Sequence, residues 1–190
     1  MSVLNDAEIR NFLNKGKIVI EPMPEDIQIQ PASVDLRLDD AYIIINPMKI
    51  PYFDSKGDNI PDTSKIQRFT KEKPLVLQPH MFVLCQTMEK VKIPPNLLAR
   101  VEGRSSIGRL GVAIHITAGF IDPGFEGNIT LEVVNLNNIP VILYPKQRVC
   151  QIVFEELTAE SERPYGSNHN KYQGQRYPTP SAIYDDTDWY

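Results

Sequence analysis

The spacing of apolar residues changes near residue 17. Before that point Ile9, Phe12 and Leu13 form a stripe at helical spacing, and Asn5 and Glu8 stand where the two ends of a capping box belong. Gly16 is placed to stop that helix. Beyond it the apolar runs are short and rich in β-branched residues. VDLRLD alternates at Val34, Leu36 and Leu38, followed by AYIII, PLVLQ, MFVLCQ, VAIHIT, NITLEVV, VILY and RVCQIVF. Turn signals separate them: NP at 46–47, KGD at 56–58, PP at 94–95, DPG at 122–124, NNIP at 137–140 and YPK at 144–146. Many short strands at such spacing predict a mainly β chain, a sandwich or barrel, and argue against a doubly wound sheet. The polar, punctuated stretch 51–73 reads as an insertion loop or a long hairpin. No internal repeat is visible.

From residue 161 the pattern ends. SERPYGSNHNKYQGQRYPTPS is short of aliphatic residues and cannot build a core of its own. It is either a disordered tail or a lid that orders over a ligand, with Tyr165, Lys171, Gln175 and Arg176 as polar contacts. The chain therefore divides into a β domain with its N-terminal helix, 1–160, and a tail, 161–190.

Composition narrows this little. The chain has 190 residues, 42% hydrophobic and 23% charged, with a formal net charge of −4. It suits one domain, or one domain with a tail. No apolar run approaches the roughly 20 residues of a membrane helix, so no membrane partner is expected. MSVLNDAEIR has neither a basic nor an apolar leader region, and a cytoplasmic location is the expectation. Cys85 and Cys150 lie in apolar runs without metal or redox spacing and read as reduced core thiols. The mild acidity argues against nucleic acid as a partner, while a small anionic ligand held by local donors stays open.

Several stretches carry candidate chemistry. GRSSIGRLG, 103–111, leaves room between its glycines for about two turns of helix. Ser105 or Ser106 would lie at the helix N-terminus, where free N–H groups favour an anion, with Arg104 adjoining and Arg109 at the far end. The same residues also suit a capped surface helix. Asp122-Pro123-Gly124 makes a tight turn, so the strands on either side are expected to form a hairpin. In the second strand Ile129, Leu131 and Val133 share one face and Thr130, Glu132 and Val134 the other. Glu132 is then either a solvent-facing residue or a pocket carboxylate suited to proton transfer. His115 alternates with Ala113 and Thr117 and reads as a packed or interface histidine; His80 and His169 lie in polar contexts. Gln151 points away from the face of Cys150, Ile152 and Phe154. Zinc-site spacings such as H-x-E and C-x-x-C are absent, as are the common phosphate-loop motifs.

Together, IQPASVDLRL, VEGRSSIGRLG, HITAGFIDPGFEGNITLEVVN and KYQGQRYPTPS resemble the signature blocks of the dCTP deaminases, in order, across residues 28–181. That family belongs to the dUTPase superfamily. The resemblance implies a distorted β-barrel or jelly-roll-like subunit with an N-terminal helix, short helices and a C-terminal lid. It also implies a homotrimer with active sites at subunit interfaces, and dCTP or dUTP as the nucleotide substrate. GFIDPGFEGN is similar to a dUTPase block, with Phe125 at the aromatic position, but Glu132 departs from dUTPases and matches the deaminases.

By the same resemblance, Glu132 would be the general base and proton shuttle, with Ser105 and Arg109 orienting water or stabilising the intermediate. Arg104, Ser105 and Ser106, within the segment that continues through Ile107, Gly108 and Arg109, would grip phosphates together with Gln151, Tyr165, Lys171 and Gln175. Asp122 would bond the deoxyribose 3′-OH, and the backbone of Thr130, Leu131 and Glu132 would read the base edge. Mg²⁺ would bridge the triphosphate, and no zinc is implied. Gly119 and Phe120 stand where dUTP-forming members carry bulky basic residues, which is similar to the bifunctional, dUMP-forming type. In that type Asp122 would also place water for attack on the α-phosphate.

Overall fold

The computed structural model describes residues 2–45, 52–56, 65–168 and 170–186. The chain opens with helix α1 (Asp6–Asn14), then strands β1 (Val19–Glu21), β2 (Ile29–Gln30), β3 (Ser33–Arg37), β4 (Ala41–Ile44) and β5 (Gln67–Arg68). There follow β6 (Leu75–Leu77), β7 (Phe82–Lys92), β8 (Leu97–Gly103), the single turn α2 (Ser105–Gly108) and β9 (Val112–Ala113). The last strands are β10 (Phe120–Ile121), β11 (Glu126–Asn135), β12 (Val141–Leu143) and β13 (Arg148–Glu156).

The predicted capping box forms at α1. Asn5 Oδ1 accepts from the Glu8 amide at 2.9 Å, and Glu8 Oε2 accepts from the Asn5 amide at 3.1 Å. Such a cap is worth about 1 kcal/mol. Ile9 and Leu13 are buried, and Gly16 ends the helix at φ +64°.

Two large sheets enclose the core, and β6 pairs antiparallel with β12 in a third, two-stranded one. One large sheet has the order β10-β8-β13-β3-β2; the other runs β5-β4-β7-β11-β9, with β1 also paired to β7. Each keeps free edges, so the architecture is a distorted, jelly-roll-like sandwich and not a closed barrel. Alternation governs it: in β11 every second residue from Gly127 to Asn135 is buried. Leu36, Leu131 and Phe154 lie fully inside, and burying each such side chain contributes about 1.5–3 kcal/mol. Cys85 and Cys150 are free and buried, and burial pushes both thiols upward.

Three local expectations change. The strands flanking Asp122-Pro123-Gly124 do not pair with each other: β10 joins β8 in one sheet, and β11 joins β7 in the other. The turn therefore carries the chain between layers. VAIHIT is strand only at Val112–Ala113, and its remainder is irregular. The helix in GRSSIGRLG is one turn, because Gly111 at φ +78° redirects the chain at once. In the stretch 51–73, β5 pairs antiparallel with β4, as a long hairpin would. The NP turn, most of KGD and His169 lie outside the described residues.

Candidate active site

An open cleft of about 740 Å³ lies along the half-buried face of β11, a size suited to a small-molecule ligand. Glu132 and Thr130 line it from the strand, Asp122 from the turn between the sheets, and Tyr165 and Gln175 from the tail.

Glu132 is held from one side. Because the chain leaves strand geometry after Ala113, the amides that follow have no ladder partner. Those of Ile116 and Thr117 donate to Glu132 Oε2, at 2.9 and 3.3 Å. Oε1 has no protein partner among the described residues. On the neighbouring strand Leu84 is the direct partner of Glu132, so one flank of the carboxylate is apolar.

Beside it runs a free peptide edge. Among the described residues β11 pairs with β7 from Glu126 to Val134, and with β9 only at Val134 and Asn135. The β7 register shifts between Asn128 and Thr130, across which the Ile129 amide still faces β7, donating to Thr87 Oγ1 at 3.0 Å. Backbone N–H and C=O groups alternate sides along a strand. The Asn128 N–H and C=O meet Gln175 on the side away from β7, at 2.9 and 2.6 Å. The alternation turns the peptide groups of Thr130 and Glu132 toward that same side, and those of Leu131 toward β7. The Leu131 side chain is in the core, at 0% exposure.

The tail docks along this edge as an ordered wall. The Gly174 amide donates to the Glu126 carbonyl at 2.8 Å, and the Thr179 amide to Thr130 Oγ1 at 3.2 Å. The Tyr165 ring lies 5.8 Å from that of buried Phe125, tilted by 60°, and burial pushes its phenol upward. The Tyr165 hydroxyl accepts from the Tyr172 amide at 3.2 Å. Gly124, at φ +90°, is required by this fit: a Cβ there would stand 2.6 Å from the Tyr165 carbonyl oxygen.

Asp122, Thr130, Glu132, Tyr165 and Gln175 are thus brought together. The others are not. Ser105, Ser106 and Gly108 on α2, and Arg109 directly after it, are exposed, Ile107 is buried beneath them, and none lines the cleft. Arg104 Nε pairs with Asp35 at 3.2 Å. Gln151 sits opposite Asp35 on β13, accepting from Ser33 at 3.3 Å. Lys171 is paired with Asp186. Among the described residues, the lining contains two carboxylates and no lysine or arginine. His115 is packed against Gly119, its Nε2 3.9 Å from Glu102, and it does not line the cleft.

Tyr172, Thr179 and Phe53 also line the cleft and were not singled out by sequence reasoning. The first two lie inside KYQGQRYPTPS, where the block itself was the signal. Phe53 lies in the polar insertion, where no periodicity marks it. Among the described residues no three His, Cys, Asp or Glu side chains converge as a metal cage. No described helix is long and apolar enough to cross a membrane.

A family model described as dCTP deaminase-like matches residues 3–157. The dUMP-forming dCTP deaminase of Methanosphaera stadtmanae is 50% identical, over 99% of this chain and 97% of its own length. The protein of the same description from Mycobacterium tuberculosis is 44% identical, over 96% of each. Among solved structures, the 2′-deoxycytidine 5′-triphosphate deaminase of Agrobacterium tumefaciens shares the fold with a TM-score of 0.63 at 22% identity, over 82% of this chain and 48% of that one.

Proposed function

The chain belongs to the dCTP deaminase-like family, and from that premise we infer that it is a dUMP-forming dCTP deaminase. Two hydrolyses make up the reaction. Water replaces the C4 amino group of dCTP, giving dUTP and ammonia; a second water then attacks the α-phosphate, giving dUMP and diphosphate. The product would supply thymidylate synthesis.

The observation that carries the chemical reading is Glu132, clamped by two backbone amides with one oxygen free, beside the unpaired peptide edge at Thr130 and Glu132. A peptide edge offers both donor and acceptor, which suits the C4–N3–O2 edge of a cytosine. Glu132 takes a proton from the attacking water and passes protons to the departing ammonia. Ser105 and Arg109 orient that water and stabilise the tetrahedral intermediate. Asp122 bonds the 3′-OH and places the second water.

The phosphates need cations, and among the described residues the cleft of one chain is lined by none. We propose that a homotrimer supplies them, the segment Arg104 to Arg109 of one subunit facing the cleft of the next. Leu110 and Leu136, 47% and 63% exposed beside α2, support an interface there. Gln151 joins the grip, as does Lys171 once it leaves Asp186. Mg²⁺ accompanying the nucleotide would supply neutralisation of the phosphate charge, and such an ion would need few protein ligands.

The test is incubation with dCTP and Mg²⁺. Ammonia release is expected, and its absence would overturn the reading.

A further inference from the structure

Asp35 lies outside the cleft on β3, and its side chain is 2% exposed. An ion so buried is costly unless it is paired and hydrogen-bonded. Its Oδ2 takes two guanidiniums at once: Arg104 Nε at 3.2 Å and Arg148 Nη1 at 3.0 Å. The arginines are fixed further by backbone. Arg148 Nη1 donates to the Ile27 carbonyl at 2.8 Å, and Arg104 Nη1 to the Arg148 carbonyl at 3.3 Å. Both keep side chains 28% exposed, with Nη2 free of protein partners among the described residues.

One buried negative charge therefore holds two positive ones, leaving a net positive charge at the surface. Gln151, directly across from Asp35 in the β3–β13 register, lies on the same sheet face. A free arginine gives up rotamer entropy when it is fixed; here that cost falls at folding and not at binding. Two such guanidiniums suit the oxyanions of a polyphosphate, which prefer forked donors.

Resting on the reading above that Arg104 and Gln151 grip the triphosphate, we propose that Asp35 is a positioning residue. It presets Arg104 and adds Arg148 as a second guanidinium for the phosphate chain.

The experiment compares full-length wild type with Asp35→Asn, Arg148→Gln and Arg148→Lys. It measures kcat and KM for dCTP, and the binding of inorganic triphosphate by calorimetry. Loss of a charge-assisted contact predicts that KM and the triphosphate Kd rise about tenfold or more in Asp35→Asn and Arg148→Gln, with kcat within about threefold. Arg148→Lys should fall between. Circular dichroism and melting confirm folding; should Asp35→Asn not fold, Arg148→Gln decides alone. Wild-type KM and Kd in a folded variant, or a loss confined to kcat, would overturn the proposal. A wild type that binds triphosphate but releases no ammonia would sink the deaminase reading instead.

Discussion

The Ile116 amide donates to Oε2 of Glu132 across 2.9 Å, so a loop that has just left its strand clamps a carboxylate in the middle of another. Glu132→Gln keeps the shape and an oxygen for that amide but removes the base. Ammonia release from dCTP should fall at least about 10²–10⁴-fold, the usual worth of a general base, with nucleotide affinity within a few-fold by calorimetry. A variant that still deaminates would remove Glu132 from this role.

The tail's seat depends on Gly124. In Gly124→Ala the new Cβ meets the Tyr165 carbonyl at 2.6 Å and the backbone must hold φ +90°. Strain of that kind costs about 1–3 kcal/mol, and the melting temperature should drop with it. Truncation before Tyr165 should leave the β-sandwich folded and weaken dCTP binding. Unchanged affinity in the truncated protein would mean that the tail is no part of the nucleotide site.

Asp35 ties stability to pH. Burial raises its pKa above 3.8, against the opposing pull of Arg104 and Arg148. A carboxyl whose folded pKa is raised binds its proton more tightly folded than unfolded. Its contribution to stability therefore falls as pH rises from the unfolded pKa through the folded one. Arg148→Gln removes one counter-charge and raises the folded pKa further. The deficit of that variant against wild type should widen from pH 4 toward neutrality. Breaking a buried pair costs about 3–5 kcal/mol, and retained Arg104 should hold the neutral-pH deficit below that. Urea melts at several pH values measure it; a deficit independent of pH would contradict the account.

Much of this was legible in the sequence where one physical rule acted alone. The capping box at Asn5 and Glu8, and the two faces of β11 with Glu132 on the open one, follow from local spacing. Asp122-Pro123-Gly124 was legible as a turn but not as a crossing between sheets, since a turn's residues do not say which strands its arms will join. The strand at VAIHIT failed after Ala113, where the freed amides at Ile116 and Thr117 serve Glu132. Asp35 and Arg148 passed unnoticed because their pairing joins β3 to β13, and no local pattern reports a contact so distant in the chain.

Asp122 should separate the two hydrolyses. Asp122→Asn is expected to slow dUMP formation about 10²-fold or more, as loss of a water-placing carboxylate would, while ammonia release falls less. Equal losses in both steps would confine Asp122 to binding.

The most direct test follows both products in time. Wild type with dCTP and Mg²⁺ is monitored for ammonia and, by phosphorus NMR, for diphosphate, dUTP and dUMP. The account predicts ammonia and diphosphate rising together, one for one, with dUMP as the final nucleotide. dUTP accumulating as the end product, with no diphosphate released, would contradict it.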